Sequence, residues 1–304
     1  MKAIVTGANG FVGSSLVRLL ISKEIEVLCV DLNFTNDRIP DSKFVKKVQL
    51  SVENIDELEN HIKFEEYSVF YHFAWVGSAG PLRSNENIQV NNALITVNCL
   101  RLAKKVGCQK FVCAGSIMEY EVHSAIYAQG TKPALPYLYG VGKVLAHELC
   151  KPIANDIGID LVWAYITNAY GVGECSPRFI NSTLRKINNS EKLEFTSGIQ
   201  NYDFIYIDDV ANAFYLLGLK GIKNRGYIIG SGNAKPLKEF ILEMTNSLCP
   251  TNKPIFGNVP FTGVNIDVEL FDISPIKDDC GFEPKISFVE GIKKTAEWLK
   301  EIDR

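Results

Sequence analysis

The chain reads as an α/β fold: a doubly wound parallel sheet followed by a smaller mixed α/β lobe. Three observations predict this. Apolar runs of five to seven residues alternate with longer segments of helical period through the first 167 residues. Three glycines, Gly7, Gly10 and Gly13, lie where the first apolar run passes into the first helical pattern. The second apolar run ends in an acidic residue, Asp31, 18 positions after Gly13.

Each element follows in order. Lys2 to Thr6 is a short buried strand, and Phe11, Val12, Leu16, Val17, Leu19 and Leu20 then recur at helical spacing. Between them, Gly7 permits a tight turn, Gly10 lets the backbone approach a pyrophosphate, and Gly13 lets the helix pack close to the strand. The helix N-terminus presents free N–H groups and the positive end of its dipole to phosphate. Glu26 to Val30 is the second strand, and Asp31 at its end can accept hydrogen bonds from the ribose hydroxyls of a dinucleotide. A carboxylate there also repels a 2′-phosphate, so NAD is expected in preference to NADP. Ser68 to Phe73 is a strand, Glu86 to Val106 a long helix, and Lys110 to Ala114 a strand. Pro136 to Ile157 is mostly helix, broken or bent near Pro152, and Asp160 to Ile166 is a strand.

The pattern loosens after residue 167. Gly171, Gly173 and Pro177 mark a loop and Phe179 to Ile187 a helix. Asp203 to Ile207 reads as a strand, with Asp208 and Asp209 capping a helix that runs to Leu219. Tyr227 to Ile229 is a strand, and Ser287 with Glu290 forms a capping box before a last amphipathic helix. Residues 1–167 are therefore expected to form a cofactor-binding Rossmann-type domain to which residues 204–231 return. Residues 168–203 and 232–304 are expected to form a substrate lobe, with ligands bound in the cleft between.

Tyr139 and Lys143 are four residues apart on the predicted helix, hence on one face and about 5–6 Å apart at Cβ. A free phenol, with a pKa near ~10, is a weak base at neutral pH. A neighbouring ammonium and an oxidised nicotinamide both favour the phenolate. Such a tyrosine takes a proton from a sugar hydroxyl or gives one to a ketone. Ser116, at the end of a strand, can orient the same substrate oxygen. His72 at a strand end is expected to be packed.

Composition excludes several classes. The net charge is −3 over 304 residues, and no basic stretch suggests a nucleic-acid footprint. No apolar run approaches the ~18–20 residues of a membrane span. The first strand begins at residue 2, leaving no room for a signal peptide, so a cytoplasmic protein is expected. None of the eight cysteines makes a C-x-x-C pair, and they read as small buried hydrophobes with no metal site.

Taken together, several strings resemble the extended short-chain dehydrogenases/reductases, in their nucleotide-sugar epimerase/dehydratase/reductase branch. They are Thr6 to Gly13, Asp31, His72-Phe73-Ala74-Trp75 (usually His-Leu-Ala-Ala), Asn91, Ser116 before Tyr120, Tyr139/Lys143, Asn168-Ala169-Tyr170-Gly171 and Asp203 to Val210. The resemblance covers nearly the whole chain. It implies that Phe11 and Val12 lie along the cofactor diphosphate, Phe73 and Ala74 along its ribose, and Asn168 near a substrate diphosphate. The expected cofactor set is Gly7, Asn9, Gly10, Phe11, Val12, Gly13, Asp31, Leu32, Leu50, Ser51, Phe73, Ala74, Trp75, Asn91, Tyr139, Lys143 and Ile166. The expected substrate set is Ser116, Met118, Asn168, Arg178, Tyr202 and Arg83. The resemblance also implies a homodimer through Glu86–Val106 and Pro136–Ile157, for which Ile88, Leu94, Ile95 and Leu102 offer an apolar stripe.

Departures from the family pattern narrow the activity. Members that eliminate water carry Asp-Glu directly after the position of Ser116, where this chain has Ile117-Met118. Glu119 comes one position later, and on strand or turn geometry would point elsewhere. An arginine that clamps the substrate diphosphate is replaced by Tyr202, and a second, expected around residues 261–268, is missing. The expected activity is an NAD-dependent nucleotide-sugar epimerase, acting at C4. The alternative is an NAD(P)H-dependent 4-ketoreductase of a deoxy-keto-sugar nucleotide.

Overall fold

The computed structural model describes residues 1–127, 133–261 and 263–303. Seven parallel strands form one sheet: β1 (Ala3–Thr6), β2 (Val27–Asp31), β3 (Val45–Gln49), β4 (Val69–His72), β5 (Lys110–Ser116), β6 (Asp160–Ile166) and, after four short strands, β11 (Arg225–Ile229). Their order is β11-β6-β5-β4-β1-β2-β3. The direction of winding reverses between β1 and β4, and the crevice beyond their C-terminal ends is where such sheets bind ligands.

Helices cover both faces. On one face lie α1 (Phe11–Ser22) and α6 (Ile207–Lys220), where Leu16, Val17 and Leu20 share a core with Phe214 and Leu217. On the other lie α2 (Glu86–Lys105) and α4 (Leu138–Ile157), where Leu100, Ala103, Cys150 and Ala154 pack on Phe70, Phe111 and Trp163. Burial on both faces explains why these strands read as continuous apolar runs. α2 and α4 approach closely at Gly142, where a Cβ would stand 2.9 Å from the Cβ of Gln89. α4 runs through Pro152 without a break, and its first turn is preceded by a 3-10 turn at Leu135–Tyr137.

The remaining elements form the smaller lobe. β7 (Asn168–Tyr170) pairs with β10 (Phe204–Tyr206), β8 (Glu194–Phe195) with β13 (Ile255–Phe256), and β9 (Asn201–Tyr202) with β12 (Lys235–Pro236). Around them pack α5 (Phe179–Asn188), α7 (Leu237–Leu248) and α9 (Phe288–Ile302), whereas α8 (Ser274–Cys280) packs on α6 and β11. Phe204 is the centre of an aromatic cluster with Phe179, Phe240 and Phe288. Ser287 caps α9 by accepting the N–H of Glu290, while the Glu290 carboxylate pairs with Lys294 at 2.7 Å rather than closing a reciprocal box.

Some sequence expectations are corrected. Strand β3 and helix α3 (Met118–Tyr127) were not anticipated. Asp208 and Asp209 make no side-chain cap on α6. Asp209 instead accepts the backbone N–H groups of Lys285 and Ile286, both at 2.9 Å, tying α6 to the segment before α9. The strand expected at Asp203–Ile207 is shorter, because the buried Asp203 carboxylate accepts the N–H of Ser231 at 2.9 Å and Ile207 already begins α6.

Candidate active site

The turn after β1 is shaped by backbone proximity. Gly7 adopts φ +67°, and a Cβ there would lie 2.7 Å from the nitrogen of Ala74. A Cβ on Gly13 would lie 2.1 Å from the carbonyl oxygen of Gly7. The loop therefore lies flat between the ends of β1 and β4, opening a cavity of about 780 Å³. Its walls include Gly7, Asn9, Gly10, Phe11, Val12, Gly13, Asp31, Leu32, Ser51, Phe73, Ala74, Trp75, Ile166 and Arg178, with Ser116, Tyr139 and Lys143 along the same wall. The glycine cradle and the acidic strand end fit a dinucleotide, with the diphosphate against the α1 N-terminus.

The Asp31 carboxylate is fixed by two backbone N–H groups. One carboxylate oxygen accepts the N–H of Asn9 and the other that of Leu32, both at 2.8 Å. Burial raises its pKa, opposed by the N–H groups of Asn9, Leu32 and Asn33. Asn9 anchors the loop after β2, with its side-chain oxygen accepting the N–H of Arg38 at 2.9 Å.

Two of the expected cofactor residues lie elsewhere. Asn91 is on the exposed side of α2, where its amide reaches Glu53 at 3.3 Å. One turn further on, Ile95 is the α2 residue that reaches the cavity. Leu50 packs half-buried beneath the loop, and its N–H donates to the carbonyl of Asp31 at 2.9 Å. Sequence reasoning missed Arg38, which lines the cavity and donates to the carbonyl of Gly173 at 2.9 Å. No local signal marks Arg38, since its partner is 135 residues away.

Ser116 ends β5, where the strand gives way to α3, and Tyr139 and Lys143 sit in the first two turns of α4. Ser116 is buried, and its Oγ accepts the N–H of Met118 at 3.2 Å. Lys143 is also buried, and it donates to the carbonyl of Ala114 at 2.7 Å. Its ammonium is 3.6 Å from the centre of the Trp75 ring and 5.9 Å from that of Tyr139. The Trp75 indole donates to Gln89 at 2.9 Å and meets Tyr139 edge to face.

Beneath Ser116 is a buried polar group of which the sequence gives no hint. Glu119 is only 1% exposed, and one of its oxygens accepts the Ser116 N–H at 2.9 Å and the Trp163 indole at 3.0 Å. Its other oxygen lies 3.5 Å from Nδ1 of His147, which is stacked on Trp163. Glu119 thus points away from the cavity, as expected, although it sits on a helix rather than a strand or turn. His72 is packed, with Nδ1 2.8 Å from Thr6 Oγ1 and Nε2 3.2 Å from Thr96 Oγ1. Burial, reinforced by the charge of Lys143, lowers its pKa to about 3.

A second cavity of about 490 Å³ is lined by Met118, Asn168 and Tyr202 together with Glu121, Gln200 and Phe261. Among the described residues lining it, Lys186 is the single cation and Glu121 and Glu194 are the carboxylates. The replacement of the expected arginine clamps thus leaves a weakly charged pocket. Burial raises the pKa of Glu121, opposed by the Val264 N–H and by Arg83. Arg83 lines neither cavity, and its guanidinium lies 4.1 Å from the centre of the Tyr139 ring.

Comparison with known proteins agrees with this geometry. The chain is 28% identical to the UDP-glucuronate 4-epimerase of Thermodesulfobacterium geofontis, over 98% of this chain and 96% of that one. It is 27% identical to a putative UDP-glucose 4-epimerase of Methanocaldococcus jannaschii, over 99% of both. The fold matches the UDP-glucose 4-epimerase of Thermotoga maritima in complex with UDP-glucose, with a TM-score of 0.82, 21% identity and 100% of both chains covered. The family model of the NAD dependent epimerase/dehydratase family matches residues 3–230, and the chain belongs to that family.

Proposed function

We propose that the chain is an NAD-dependent nucleotide-sugar 4-epimerase. The observation that carries this reading is the placement of Ser116, Tyr139 and Lys143 on one wall of the cavity formed by the glycine loop and Asp31. The second cavity, meeting the first near Ser116 and Asn168, would take the nucleotide end of the substrate. Relatives over nearly the full length of the chain bear the names of 4-epimerases acting on UDP-sugars, which favours a uridine diphosphate substrate.

Bound NAD supplies the acceptor and later the donor of hydride. The protein's own task is the proton. Tyr139 takes the proton of the C4 hydroxyl as that carbon is oxidised, and returns it after the keto-sugar has turned over. Ser116 Oγ hydrogen-bonds the same oxygen and fixes its approach. Lys143, which gives one of its three donors to the Ala114 carbonyl, would hold the nicotinamide ribose with the others. Asn168 and Tyr202 bound the sugar-diphosphate path, with Met118 packing against the sugar, and Arg178 faces the cofactor side.

Asp31 favours NAD over NADP. We further infer a homodimer through α2 and α4, supported by Val90 and Leu94, which are 48% and 52% exposed on the outer face of α2. Of the stripe considered from sequence, Ile95 and Leu102 are instead buried, Ile95 at the wall of the cavity. Free thiols suit the cytoplasm. Among the described residues, no helix is long and apolar enough to cross a membrane.

The test is to denature the purified protein, identify the released dinucleotide by mass spectrometry, and assay UDP-sugars by NMR without added cofactor. Stoichiometric NAD and interconversion of C4 epimers are expected, with Tyr139→Phe at least about 100-fold slower. An empty site together with NADPH-dependent reduction of a keto-sugar nucleotide would replace this reading with the reductase.

A further inference from the structure

The cation closest to the ring of Tyr139 is not Lys143. The Arg83 guanidinium is 4.1 Å from the ring centre, against 5.9 Å for the Lys143 ammonium. Arg83 is fixed from both sides of the site. It donates to the carbonyl of Ser78 at 2.9 Å, in the loop after β4, and to that of Pro136 at 3.3 Å, in the turn before α4. Among the described residues, no carboxylate lies within salt-bridge distance to neutralise it; the acidic group nearest in effect is Glu121 on α3. Lys143 meanwhile is drawn onto Trp75, a large ring at a position usually held by alanine in this family.

We propose that Arg83 joins Ser116, Tyr139 and Lys143 as a fourth member of the proton-transfer machinery, holding the negative charge of Tyr139 whenever the phenol has given up its proton. This rests on the reading of Tyr139 as the proton carrier. A guanidinium against an aromatic face is attracted to the neutral ring, and far more strongly to a phenolate whose charge spreads into that ring. Arg is suited to this because it stacks flat and stays charged when half-buried. The other groups facing this pair are Lys143 on α4, Glu121 on α3, Tyr202 on β9 and Arg178 before α5. Glu121 offsets part of the Arg83 charge and Arg178 adds to it. The arrangement divides the labour: Arg83 serves the phenolate, which leaves Lys143 free for the cofactor ribose.

The experiment reads the phenol directly and needs no sugar. Tyrosines are labelled with carbon-13 at Cζ, the Tyr139 signal is assigned by its loss in Y139F, and its titration is followed in the intact chain, R83Q and R83K. The expected result is that R83Q moves the Tyr139 titration to higher pH by about one unit or more, and R83K by less than half as much. R83M replaces R83Q if the latter loses the native spectrum. A Tyr139 titration unmoved by loss of the charge, or moved as far in R83K as in R83Q, overturns the proposal. Either result is independent of whether Y139F abolishes turnover, so this inference and the epimerase reading fail separately.

Discussion

Glu119 accepts the backbone N–H of Ser116 at 2.9 Å, so the serine facing the cavity is held from beneath by a buried side chain. The same oxygen takes the Trp163 indole, and the other faces His147, which lies on α4 one turn beyond Lys143. Strand β5 and helix α4, which carry the serine and the Tyr/Lys pair, are thereby joined through one side chain.

Glu119→Ala leaves two buried N–H donors without a partner. The expected loss is about 2–5 kcal/mol in stability, read by urea unfolding, with turnover down at least about tenfold. Glu119→Gln keeps an acceptor oxygen and is expected to recover most of both. Equal damage from the two substitutions would show that the negative charge, not the hydrogen bond, matters.

His72 makes stability depend on pH. Its folded pKa, about 3, lies below the ordinary 6.5 because burial disfavours its charge. The unfolded chain therefore binds the proton first as pH falls. The contribution is complete above about pH 6.5 and is lost progressively toward pH 3, on the order of 5 kcal/mol in all. Urea unfolding of the wild type and His72→Gln between pH 7.5 and 5 is expected to show the steeper acid loss in the wild type. Parallel curves would contradict this.

Gly13→Ala drives a Cβ into the carbonyl of Gly7, which belongs to the backbone and cannot swing aside. A loss of about 1–3 kcal/mol is expected, with dinucleotide binding weakened at least about tenfold in a calorimetric titration.

Asp31→Ser removes the carboxylate that would face a 2′-phosphate. The ratio of NAD to NADP affinity is expected to fall at least about tenfold, measured by binding of each dinucleotide. An unchanged ratio would assign the discrimination to another group, with Arg38 the first to examine.

What was legible in the sequence is what acts over short spacings. The glycine loop, Asp31 and the Tyr139/Lys143 pair are each set by turn, strand-end or helix geometry within a few residues. β3 reads Val-Lys-Lys-Val-Gln; as an edge strand its partly exposed face lacks a continuous apolar run, and only pairing with β2 defines it. α3 was hidden because Glu119 looks like a surface residue until Trp163, 44 positions on, supplies its donor. Arg83 and Arg38 were ambiguous or missed for the same reason: carbonyls 53 and 135 residues away determine where they point.

Of the eight thiols, only Cys175 is exposed, and it lines the glycine-loop cavity beside Arg38. Cys249 is half-covered, and the other six are buried. The protein thus carries a natural attachment point for a fluorophore or spin label where cofactor occupancy is best sensed. Loading and release can be watched in the unmodified sequence, without engineering a reporter into the fold.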